Sequence, residues 1–153
     1  MISAVDTNIL LDVLIPNNGF VENSMRALEE SAASGLVVIC DILYAELCIH
    51  FDSQRQCDHF LESCEIRAEP LTKEAHFLAS RVWRTYRCQG GQRTKILSDF
   101  LIGAHAQTRA NQLVSRDRGF YRKLFPSLKL IDPSVAQRLI AASPAASRHS
   151  RWR

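Results

Sequence analysis

An α/β fold, with a central parallel sheet flanked by layers of helices, is predicted by three observations. Short, nearly continuous apolar runs occur at 2–5 and 36–40, and a shorter one, Leu113-Val114, lies within 112–115, as expected of strands buried on both faces. Between them lie segments whose apolar residues recur at helical spacing. Strand and helix alternate along the chain, which favours parallel crossovers over hairpins or a helical bundle.

The elements follow in order. Residues 2–5 read as a buried strand and 8–14 as a helix ended by Pro16, with Asn17-Asn18-Gly19 as a turn. Val21, Met25, Leu28 and Ala32 mark a second helix that Gly35 stops. Residues 36–40 form the next strand, and Asp41 is placed to N-cap a helix carrying Glu46. A polar helix over 55–64 and an extended stretch near 66–71 come next. Thr72 caps a long helix with Ala75, Leu78, Val82, Trp83 and Tyr86 on one stripe. After Gln89-Gly90-Gly91-Gln92, a helix containing Asp99 places Leu97, Leu101, Ala104 and Thr108 on a shared face. Residues 112–115 form a strand, 119–124 a short helix, 128–131 a last strand and 134–142 a closing helix. One domain over 1–142 is expected, followed by a Pro-, Ser- and Arg-rich tail at 143–153 that reads as disordered.

The 153 residues suffice for one core, and 46% apolar with 23% charged is an ordinary globular balance. No apolar run approaches the roughly 18–20 residues of a membrane span. No basic region precedes the first apolar run, so no secretory signal is expected and the chain reads as cytoplasmic. A formal charge of +3 diagnoses no partner, although Arg outnumbers Lys, as suits planar phosphate contacts. The five cysteines show neither CxxC pairing nor zinc spacing and read as structural free thiols.

Four acids stand in tailored settings: Asp6 after the first strand, Glu46 in Tyr44-Ala45-Glu46-Leu47, Asp99 before Phe100-Leu101-Ile102, and Asp117 after Leu113-Val114-Ser115-Arg116. Ligands of an open parallel sheet bind beyond the carboxyl ends of its strands, and all four acids can reach that edge. Like charges gathered there raise one another's pKa unless a cation joins them, and oxygen-only ligands favour Mg²⁺ or Mn²⁺. Such a site suits phosphodiester hydrolysis. The residues alone leave a second reading open. Asp99 can be a helix-dipole acid, Asp117 a turn residue and Glu46 half of an ion pair.

Taken together, Val5-Asp6-Thr7-Asn8-Ile9-Leu10-Leu11, Tyr44-Ala45-Glu46-Leu47, the run from Asp99 to Ala106 and the run from Leu113 to Phe120 resemble the four motifs of a PIN domain. In size and motif detail the chain resembles most the VapC-type toxins of bacterial toxin–antitoxin modules. That resemblance implies a PIN-like three-layer fold and a Mg²⁺- or Mn²⁺-dependent endoribonuclease. It also implies a homodimer held inactive by a VapB-type antitoxin. It carries Asp6, Glu46, Asp99 and Asp117 over as catalytic, metal-binding acids, with Asn8 and Ser115 as polar supports. A catalytically silent RNA- or protein-binding PIN module is the alternative.

Arg93, Lys95, Arg116 and Arg118 flank the acid motifs and are candidates for RNA phosphate contacts, or else solvated charges or salt bridges; the first three enter the candidate site. His105 reads as structural rather than as a general base. A phosphatase or phospho-receiver is disfavoured, because Asp6 is followed by Thr7-Asn8 with no D-x-D, and no Lys stands at a later strand end.

Overall fold

The computed structural model describes residues 1–15, 19–92 and 97–134. The elements are β1 (Ile2–Val5), α1 (Thr7–Leu14), α2 (Val21–Ser34), β2 (Leu36–Cys40), α3 (Asp41–Cys48), α4 (Gln54–Ser63), β3 (Ile66–Glu69), α5 (Lys73–Cys88), α6 (Leu97–Arg109), β4 (Gln112–Val114), α7 (Arg118–Leu124) and β5 (Leu130–Ile131). The strands form one parallel sheet in the order β3-β2-β1-β4-β5. Helices flank it, which is the three-layer α/β fold the sequence predicts.

The apolar runs became strands because both faces are covered. Val37, Val38 and Ile39 of β2, Ala4 and Val5 of β1, and Leu113 and Val114 of β4 are all buried. Crossovers between parallel strands are right-handed as a rule, which sends a connection and one that runs back the other way, as β3–β4 does here, to opposite faces. The reversal falls between β1 and β4, which pair Ser3 with Gln112 and Val5 with Val114. This crevice is where an open α/β sheet binds ligands.

Local signals were read correctly at several ends. Thr72 Oγ1 accepts from the Ala75 amide at 3.1 Å and caps α5. Gly35 ends α2 at φ +149, and a Cβ there would strike the Met1 backbone. Other expectations differ. Cys40, not Asp41, is the N-cap of α3, because β2 continues pairing through Cys40 opposite Glu69 and Asp41 is already helical. The face expected on α6 is incomplete: Leu97 is 50% exposed, while Phe100 and the run from Ile102 to Ala106 are buried. Helix α6 touches α5, α3 and three strands, so it is covered on more than one side. On α5, Trp83 leaves the expected stripe and is 41% exposed. All five cysteines are free, with Cys40, Cys57 and Cys64 buried. The closing helix at 134–142 and the tail at 143–153 lie outside the described residues, apart from Ser134, and so does most of the turn at 17–19. Among the described residues, no helix is long and apolar enough to cross a membrane.

Candidate active site

Each predicted acid stands near the carboxyl end of the sheet, and three of them stand at helix N-termini. Asp6 follows β1, donates its amide to the Val114 carbonyl at 3.0 Å, and caps α1 by accepting from the Thr7 amide at 2.8 Å. Asp99 lies in the first turn of α6. Asp117 caps α7, accepting from the Phe120 amide at 3.3 Å. Unsatisfied N–H groups and the helix dipole favour negative charge at such positions. Glu46 projects from α3, and its Oε2 accepts from Thr7 Oγ1 at 2.7 Å. Consecutive residues of one helix start, Asp6 and Thr7, thereby link two of the acids.

Asp6 is the buried centre of this rim. Its Oδ2 accepts from Asn8 Nδ2 and from Ser115 Oγ, both at 2.6 Å. Asn8 Nδ2 also reaches Ser115 Oγ at 3.3 Å, and Ser115 Oγ accepts the Asp117 amide at 3.0 Å. One serine therefore ties the acid after β1 to the acid after β4. Burial pushes the Asp6 carboxyl up to about 6; the Ser115 and Thr7 donors oppose this, and Asp99 nearby adds to it.

Sequence reasoning missed three contributors. The first is Tyr121 of α7, 1% exposed, whose hydroxyl hydrogen-bonds to the Asp6 carboxylate. Burial, and then the charges of Asp6, Asp99 and Asp117, push its phenol well above the ordinary range, so it remains a neutral donor. Its signal was a hydroxyl-bearing aromatic four residues after the last acid. Thr7 is the second. Asp12 is the third, and an acid within the apolar run Ile9-Leu10-Leu11-Asp12-Val13-Leu14 was its signal.

Asp12 explains Arg116. The guanidinium reaches Asp12 Oδ1 and Oδ2 at 2.8 Å each, Ser24 Oγ donates to Oδ2 at 2.7 Å, and the Phe20 ring lies 4.2 Å from the Arg116 carbon. The Arg116 amide meanwhile donates to Asn8 Oδ1 at 3.3 Å. Arg116 thus holds the loop between Ser115 and Asp117 against α1 and α2. Arg93 and Lys95 lie outside the described residues. Arg118 pairs with Asp132 at 2.6 Å. His105 is buried, as expected, and desolvation lowers its pKa, opposed by Glu69 at 4.0 Å.

The structure therefore brings Asp6, Asp99 and Asp117 around one tyrosine and hangs Glu46 on the adjoining threonine. Among the described residues, no three Asp, Glu, His or Cys side chains stand close enough to form a ready metal cage. The donor chemistry nevertheless suits a hard divalent cation: carboxylate oxygens on one rim, with one carboxyl buried away from water.

A sequence model of the PIN domain matches residues 4–125. No curated protein sequence matches the chain. Solved structures share its fold at low identity. A chain of VapBC2 from Rickettsia felis, bound to a promoter DNA fragment, is 22% identical with TM-score 0.65, covering 86% of this chain and 98% of that one. VapBC-1 from nontypeable Haemophilus influenzae gives 18% and 0.63, covering 88% and 99%. FitAcB from Neisseria gonorrhoeae gives 20% and 0.61, also covering 88% and 99%.

Proposed function

This chain belongs to the PIN domain family, and from that premise we propose that it is a Mg²⁺- or Mn²⁺-dependent endoribonuclease acting as the toxin of a VapBC-type module. The supporting observation is the rim itself: Asp6, Asp99 and Asp117 around the Tyr121 hydroxyl, with Glu46 joined through Thr7. Asp6, Glu46, Asp99 and Asp117 are the residues to hold the ion. When bound, such an ion would supply positive charge to offset that of the scissile phosphate and lower the pKa of water. Ser115, Asn8 and Tyr121 fix the orientation of Asp6, and Thr7 fixes that of Glu46. The toxin assignment draws on structural likeness to VapBC and FitAcB chains. On this reading the partners are RNA, a VapB-type antitoxin and a second copy of the chain.

A specific observation favours a second reading, a PIN module that binds RNA or protein without cutting. No ready metal cage stands among the described residues, and Asp6 is already served by three side-chain donors and one amide. The two readings separate in one experiment. Total cellular RNA is incubated with purified protein in Mg²⁺, Mn²⁺ or EDTA, beside Asp6→Asn. Discrete, metal-dependent fragments absent from the variant are expected. Intact RNA in every lane, with folded protein free of antitoxin, would establish the silent module instead.

A further inference from the structure

Helix α5 carries four cations, Lys73, Arg81, Arg84 and Arg87, against one acid, Glu74, a balance of +3 that equals the net charge of the whole chain. Its buried side is set by Ala75 and Ala79. Lys73, Phe77, Arg81 and Arg84 stand on the opposite, solvent side, where Phe77 is 68% exposed. Among the described residues, no acidic side chain pairs with Arg81 or Arg84. Uncompensated cations beside an exposed ring are the footprint of single-stranded nucleic acid binding, in which phosphates take the charges and a base stacks on the ring. Against a second copy of the chain, the same face would set cations against cations.

The helix also leads to the acid rim. At its C-terminal end Tyr86 packs on Phe100, ring centroids 5.5 Å apart, and Phe100 adjoins Asp99. Beyond Tyr86 a groove of about 210 Å³ is bordered by Gly90, Gly91 and Lys123, the last from the helix that Asp117 caps. Arg87 Nη1 donates to the Gly91 carbonyl at 2.7 Å and fixes this border. A Cβ on Gly91 would run into the Tyr86 ring, so glycine lets the loop lie flat there. With about 1.5 Å rise per residue, the 16 residues of α5 span roughly 24 Å, room for several nucleotides.

We propose that the solvent face of α5 is a track for single-stranded RNA, with Arg81 and Arg84 on phosphates and Phe77 under a base, leading the strand through the Gly91–Lys123 groove to the acids. It rests on the reading that RNA is the substrate. The track is tested without catalysis, by fluorescence anisotropy of a labelled RNA of about 12 nucleotides in EDTA across about 50–200 mM salt. Arg81→Ala/Arg84→Ala is expected to weaken binding about tenfold and to reduce the salt slope by roughly 1.4, two single-strand phosphate contacts. Phe77→Ala is expected to weaken binding about fivefold or more with the slope unchanged, while Lys129→Ala changes neither. Circular dichroism checks each fold. Wild-type affinity and slope in the arginine variant overturn the track, as does wild-type protein that binds no RNA. It is equally overturned if the aromatic variant loses self-association in sedimentation but keeps its RNA affinity. Bound RNA that is never cut leaves the track standing and refutes only the nuclease reading.

Discussion

Replacing Arg116 by methionine removes both nitrogens that reach Asp12 at 2.8 Å. The Asp12 side chain is 1% exposed, so its charge has no route to water, whereas Arg116 is 29% exposed and retains some solvent. Breaking a buried pair from one side costs about 3–5 kcal/mol. The partial exposure of Arg116 puts this case at the lower end, about 3 kcal/mol, with up to about 1 more for its contact with Phe20. At this size each kcal/mol shifts the melting temperature by about 2–4 °C, so a fall of roughly 6–16 °C is expected. Asp12→Leu/Arg116→Met removes both charges and should recover most of that loss, because an apolar pair of similar volume needs no solvation. Thermal melts of the wild type and both variants read this directly, and RNA cleavage by the double variant reports on the Ser115–Asp117 loop. The reasoning fails if the single variant melts within about 2 °C of wild type. It also fails if single and double variants are equally destabilised.

Ser115→Ala removes the 2.6 Å donor to Asp6 and the acceptor for the Asp117 amide. A stability loss of about 1–3 kcal/mol in urea unfolding is expected, with lower RNA cleavage; unchanged values in both would contradict the role of Ser115 as a tie. Asp6 makes metal-free stability pH-dependent. Its folded pKa of about 6 exceeds the ordinary 3.8, so the native state binds the proton more tightly. The resulting stabilisation is fully present below about 3.8 and is lost as pH rises through about 6, a total of about 3 kcal/mol. The stability difference between wild type and Asp6→Asn should therefore decline across that window, and a flat difference would refute it. Gly103→Ala would push a Cβ into the buried Phe125 ring and should cost about 1–3 kcal/mol despite better helix propensity. A melt matching wild type would show that the ring yields freely.

The sequence by itself determined the layers and where three of the four acids fall along them. Strands buried on both faces are largely apolar, so β1, β2 and the Leu113-Val114 part of β4 declared themselves locally, and the buried polar pair Ser3 and Gln112 is satisfied by its own 3.0 Å hydrogen bond. Acids placed directly after strand ends or at helix starts are bound to stand near one edge of a parallel sheet. The cap at Thr72 was equally local, since it depends on a residue within one turn, whereas Gly35 stops α2 locally but has no room for a Cβ because of the distant Met1 backbone. The Asp41 cap failed because the end of a strand depends on its neighbour: Cys40 stays in β2 only because Glu69 lies opposite. The α6 face failed because a helix wedged between another helix and the sheet is buried on more than one side, which a single-stripe pattern does not encode.

What only the tertiary structure decided are the partners of the acids. Ser115 and Asp6 are 109 residues apart, and Arg116 and Asp12 are 104 apart. They meet because β4 returns to pair with β1 rather than with β3, which follows from chain reversal and crossover handedness, not from any local pattern. The same return brings α7 and the Tyr121 hydroxyl to Asp6. An arginine beside an acid motif looks like a phosphate contact in one dimension. It becomes the partner of a buried carboxylate once the fold supplies Asp12, because a charge sealed from water must be answered by an opposite one.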